Sequence, residues 1–227
     1  MLAPDLNDLT EYFAPLSTLQ REESGALTLL TPGVNVLGLN ATYLPAGEVD
    51  LRPALAWHEA QGQPPLLAAA QLPAGVSEVD AVLVGTWQDR KTDSQEGAPV
   101  VVEQISRLHL GAWAGVLCAA HGTPGWAAAL ARHLAGRLEH DRTYTLLTAY
   151  RDGQAVGALL WQARGTGGAA HLWGALDGEA ARPLLNTAAK LGTALRVSVP
   201  RSWAADLGES VTANGWVGYG LDSAEPR

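Results

Sequence analysis

Six histidines, one cysteine and a scatter of carboxylates are the residues of this chain able to hold a metal or move a proton. Cys118-x-x-His121 has a spacing seen in metal sites, but it offers two ligands and no second pair. Cys118 therefore reads as a small core residue. His133 and His140 share one helix face without a local carboxylate, and Glu139-His140-Asp141 reads as an exposed helix end. His58-Glu59 lacks the second histidine of a zinc-protease helix. Gly165-Thr-Gly-Gly168 has the letters of a phosphate loop, yet no helix follows it, so it reads as a hairpin connection. No G-x-S-x-G, P-loop or Rossmann fingerprint stands in its required context. Any chemistry must therefore come from how the fold places ordinary residues.

Composition narrows the classes. A chain of 227 residues, 47% apolar, is long enough for one large core or two small ones. No apolar run reaches the roughly 20 residues of a membrane helix. The acidic start, Met-Leu-Ala-Pro-Asp, has no signal-peptide pattern, so a cytoplasmic protein is expected. The single cysteine agrees with a reducing compartment. The net charge of −8, with no cluster of basic residues, argues against nucleic acid and anionic membranes as partners. Eight Trp against one Phe make indoles the main aromatic filling, with N–H groups to satisfy.

The elements that must do the positioning are clearest from Tyr144 to Pro200. Tyr144–Tyr150 and Gln154–Trp161 flank Asp152-Gly153, a strong signal for a type I′ hairpin. A strand at Ala169–Leu176, a helix at Ala180–Leu191 stopped by Gly192, and a strand at Ala194–Pro200 follow. Earlier in the chain, residues 1–24 read as irregular, with one helical turn at Leu9–Leu16. Ala26–Leu30 and Val34–Leu39 read as a hairpin about Pro32-Gly33. Asp50 caps a helix with Pro53 in its first turn and Gly62 at its end. Strands at Leu66–Gln71 and Val79–Trp87 follow, and residues 91–98, without a large apolar side chain, read as a linker. Beyond it come a strand at Val100–Ile105, a helix at Leu108–Ala120, and a helix opened by Thr123-Pro124 whose Trp126, Leu130, Leu134 and Leu138 form one apolar face. The tail reads as a short helix, Ser202–Leu207, and a strand pair near Val211–Leu221.

Arg52-Pro53 and Gly62 recur as Arg182-Pro183 and Gly192 at a common shift of 130, and Gly85 maps to Gly215. The order helix, Gly, strand recurs with them, which suggests a duplication with a shorter first copy.

The order strand, two helices, hairpin, strand, helix, strand, helix and terminal strands resembles the GNAT acetyltransferase fold. Asp152-Gly153-Gln-Ala-Val156-Gly157 is similar to that family's common hairpin, and Asn214-Gly215-Trp216 to its late Gly-aromatic pair. The resemblance implies an α+β fold with a mixed, mostly antiparallel sheet flanked by helices. A GNAT-like domain at 99–227 would follow a truncated GNAT-like repeat at 1–90. It implies acetyl-CoA as cofactor, lying where two strands diverge. Backbone of Leu172, Trp173 and Gly174 would hold the pantetheine, and Gly178 and Arg182 the pyrophosphate at a helix N-terminus. The loop here departs from the family's Arg/Gln-x-x-Gly-x-Gly/Ala, because Asp177 and Glu179 would face a phosphate. The family's usual general-acid tyrosine position is Val211 here, which leaves Tyr219 as the candidate acid and His171 as the candidate base. Two functions follow: acetyl transfer from acetyl-CoA to an amine on a small molecule or protein, or a catalytically inactive GNAT-like binding or scaffold protein. A homodimer through edge strands is compatible with either.

Overall fold

The computed structural model describes residues 1–89 and 99–222. In chain order its main elements are α1 (Pro4–Phe13), β1 (Leu19–Glu23), β2 (Ala26–Leu30), β3 (Thr42–Tyr43), α2 (Arg52–Ala60), β4 (Leu66–Ala69), β5 (Val76–Trp87), β6 (Val101–Ile105), α3 (Leu110–Ala120), α4 (Ala127–Leu138), β7 (Tyr144–Arg151), β8 (Gln154–Arg164), β9 (Gly167–Ala175), α5 (Gly178–Ala189), β10 (Leu195–Pro200), α6 (Ala204–Leu207) and β11 (Val211–Asp222). They form two compact units. The first holds residues 1–85 and 199–204 and the chain from Ala213 onward; the second holds Thr86–Ser198 and Ala205–Thr212. The expected linker, 91–98, lies outside the described residues.

In the first unit the strand order is β1-β2-β3-β4-β11-β5. β1, β2 and β3 pair antiparallel in turn, and β3 pairs parallel with β4, the strand that follows α2. Two expectations are corrected here. The hairpin of β2 turns at Ser24-Gly25, where both residues have positive φ (52° and 78°), so its partner is β1 from the stretch read as irregular. Residues 34–39 form no strand because Asn40 ties them into a loop. Its Nδ2 donates to Val34 O at 2.6 Å, and its Oδ1 accepts from Thr31 N at 2.8 Å. At the N-terminus, α1 runs ten residues from Pro4, where a missing N–H costs nothing, and stops before Pro15. Leu6, Leu9, Tyr12 and Phe13 on α1 are buried. The chain end forms one long strand, β11, and not a pair. Its residues 218–221 run antiparallel to β4.

In the second unit the order is β10-β9-β8-β7-β6. Asp152 (φ 51°) and Gly153 (φ 76°) make the expected tight turn between β7 and β8. β8 and β9 pair antiparallel, and β9 pairs parallel with β10, which follows α5. A Cβ at Gly157 would touch Leu184 of α5, whereas one at Gly174 would touch Ala120 at the end of α3. Gly174 pairs with Ala158, the neighbour of Gly157, so these two glycines face opposite ways. The helices α3 and α5 therefore cover opposite faces of this sheet. Leu130, Leu134 and Leu138 of α4 are buried as expected, whereas Trp126, expected on the same face, lies in the 3-10 turn before the helix and is 42% exposed. Trp113 of α3 donates its indole N–H to Leu147 O at 3.0 Å. The element order hairpin, strand, helix, parallel strand thus occurs in both units, over β1–β4 and over β7–β10.

Candidate functional site

The place where chemistry is expected lies where β9 and β10 stop pairing. Their parallel register covers Gly168–Leu195, Ala169–Arg196 and Ala170–Val197. Past Ala170, β9 continues to Ala175 on β8 alone, so the two strands part as the resemblance implies. Leu176 N–H donates to Val156 O, which fixes the alternation of β9: the main chain of Leu172 and Gly174 faces β8, and that of Trp173 faces the opening. Of the three residues expected to hold pantetheine, Trp173 is thus the one presented to a ligand.

The carbonyl and the indole N–H of Trp173 are both engaged. Its carbonyl stands 2.8 Å from Nε2 of His121, at the turn after α3. Its indole N–H donates to Ser198 O on β10 at 2.7 Å, a buried bond that spans the parted strands. The indole thereby ties the two strands together beside the gap that an added strand-like ligand would enter. The His121 bond was not readable in Cys118-x-x-His121, because the cysteine plays no part in it.

The N-terminus of α5 is likewise satisfied from within. Asp177 is the N-cap: its Oδ1 accepts the Ala180 N–H at 2.9 Å. Its Oδ2 lies 3.1 Å from Nη1 of Arg151, and Nη2 of Arg151 lies 2.9 Å from Glu179 Oε2. Gly178 is the first helical residue, and Pro183 sits inside the helix without a donor. Arg182 points elsewhere. It donates to Ser210 Oγ at 2.7 Å and to Asp206 O at 3.2 Å, and lies over the ring of Trp87. Arg151, at the tip of the β7–β8 hairpin, carried no sequence signal; the hairpin register brings it to the acids of α5.

The two candidate proton-transfer residues fall in different units. His171 is 7% exposed in β9. Tyr219 is 3% exposed in β11, opposite Ala68 of β4, in the first unit. Burial pushes its hydroxyl well above the ordinary tyrosine range, and the charge of Asp80 adds to this. Its hydrogen-bond partner is the hydroxyl of Tyr43, itself fully buried and bonded to Gly38 O at 2.8 Å. That is the setting of a core tyrosine pair. Among the described residues no group of three or more His, Cys, Asp or Glu is placed to hold a metal, and no helix is long and apolar enough to cross a membrane.

Acetyl-CoA is the cofactor that the resemblance implies, and these residues do not fit it. A pyrophosphate at α5 would meet two carboxylates where it needs bare N–H groups, and pantetheine would meet the Trp173 indole.

No known protein-family profile matches the chain, and no curated protein sequence does. Solved structures do. The chain is similar to a GCN5-related N-acetyltransferase from Kribbella flavida at 12% identity and TM-score 0.62, over 99% of this chain and 98% of that one. It is similar to a conserved protein of unknown function from Staphylococcus epidermidis at 13% identity and TM-score 0.62, over 88% and 92%. A protein placed in the GNAT acetyltransferase family, from Novosphingobium aromaticivorans, matches at 14% identity and TM-score 0.51, over 96% and 95%. The chain therefore has the GNAT fold: an α+β architecture with a mixed, mostly antiparallel sheet flanked by helices.

Proposed function

We propose that this chain is a GNAT-fold protein whose acyl-CoA cleft is closed by its own side chains, and that it works as a binding or scaffold protein. The observation that carries this reading is the Trp173–Ser198 bond across the parted strands. The capped, acid-lined start of α5 supports it, since an anion brought there would displace Asp177 and sit beside Glu179. Fold alone does not assign an activity. The repeated hairpin, strand, helix, strand order supports descent by duplication, with a shorter first copy that has one helix, α1, where the second has α3 and α4.

The second reading is acyl transfer from acetyl-CoA to an amine. The parting of β9 and β10 after Ala170 favours it, being the feature that this fold uses to admit the cofactor. An assay of thiol release from acetyl-CoA against a panel of small amines and lysine peptides separates the two. The closed reading expects release no faster than without protein; amine-dependent turnover above that background establishes the transferase.

A further inference from the structure

A second recess lies in the same unit, away from the parted strands. It has a volume of about 280 Å³ between the end of β6, the start of β7 and the end of α4. Ile105, Leu138 and Leu146 form its apolar walls, and Ser106, Arg107 and Arg142 supply polar groups. No carboxylate side chain is among its lining residues. Two arginines thus line one small recess in a chain of net charge −8.

These groups are differently held. Arg107 is fixed by one donor, Nη2, to the carbonyl of Asp141 at 2.6 Å, which leaves other donors of its fork unused. Arg142 makes no hydrogen bond or ion pair among the described residues. The nearby carboxylate of Asp141 is turned to Thr143, accepting from its N–H at 2.8 Å and from its hydroxyl. Ser106 Oγ accepts from Leu108 N at 3.3 Å and keeps its own O–H to donate. The lining therefore offers donors and positive charge beside hydrocarbon. Guanidinium forks match the two-oxygen edge of a carboxylate or phosphate, and apolar walls favour a ligand with a hydrocarbon body.

From this we infer that the recess binds a small organic anion, a carboxylate or phosphate monoester with an apolar body, held by Arg107 and Arg142. The inference does not depend on whether the β9–β10 cleft admits acyl-CoA.

The probes are phenyl phosphate and hexanoate, titrated into the full chain at low salt and followed by calorimetry. Saturable binding of at least one probe, weakened about tenfold or more in Arg142→Ala, is expected, as for loss of a charge-assisted bond. Binding of phenyl phosphate alone assigns the phosphate class, and of hexanoate alone the carboxylate class. Among the described residues Arg142 anchors nothing else, so its replacement should leave the fold intact, which unfolding midpoints matched to the parent check. Absence of binding by both probes at millimolar concentration, or binding unchanged in Arg142→Ala, overturns the inference.

Discussion

Arg151 and Asp177 stand 3.1 Å apart, guanidinium to carboxylate, while the other oxygen of Asp177 caps α5. One carboxylate thus serves the helix dipole and its ion-pair partner at once. The two roles separate by substitution. Asp177→Ala removes the cap and is expected to cost about 1 kcal/mol. Asp177→Asn keeps an oxygen for the Ala180 N–H and loses only a partly exposed ion pair, so its cost is within about 1 kcal/mol and smaller than that of the alanine. Urea unfolding of both variants checks this; equal losses would mean that the charge, and not the cap, is what α5 uses.

Trp173→Phe tests the closure of the cleft from the stability side. The change keeps most of the ring volume but leaves the buried Ser198 carbonyl without its donor. The expected loss is about 1–3 kcal/mol, read as a lower urea midpoint at unchanged m-value. A variant as stable as the parent would mean that the indole N–H is not what holds β10 beside β9.

His58 gives a pH signature in the first unit. It is fully buried, with Nε2 3.0 Å from Thr42 Oγ1, which in turn lies 2.8 Å from Thr28 Oγ1. Burial lowers its pKa from 6.5 to about 4. The unfolded chain therefore binds a proton between these values that the folded chain does not, and stability falls as pH drops through that window. The full contribution is present above pH 6.5, and up to about 3 kcal/mol is lost by pH 4. Comparing unfolding midpoints of the parent and His58→Gln across the window isolates it: the difference between the two should shrink as pH falls.

Gly168 lies where β9 still pairs with β10, and an added Cβ would come within 2.1 Å of Trp161 Nε1. Gly168→Ala must push that buried indole aside, at an expected cost of about 1–3 kcal/mol. Calorimetric melting measures it, and a neutral result would mean that Trp161 has room to move.

The second unit was largely legible because its signals are local: Asp152-Gly153 sets a hairpin and the fourfold spacing of leucines sets α4, although α5 ends at Ala189 with Lys190 as its C-cap, ahead of the expected stop at Gly192. The first unit was less so. The Pro32-Gly33 turn forms as read, with Gly33 at φ 85° and Val34 N–H donating to Thr31 O, but no hairpin follows, because the side chain of Asn40 binds the backbone between Thr31 and Val36 and leaves no ladder to form. The long β11 took its place through pairing with β4, a contact distant in sequence that no window of residues reveals. At the candidate site the acids of the α5 cap stood out in the sequence, but their partner Arg151 and the engagement of Trp173 by His121 and Ser198 depend on strand register.

The Trp173–Ser198 bond and the capped start of α5 should together keep acyl-CoA out of the parted strands. Calorimetric titration of the purified chain with acetyl-CoA, and with CoA as second ligand, is the measurement to make. No saturable heat up to millimolar ligand is expected. Micromolar binding would contradict it, showing that Asp177 and Trp173 give way to the cofactor.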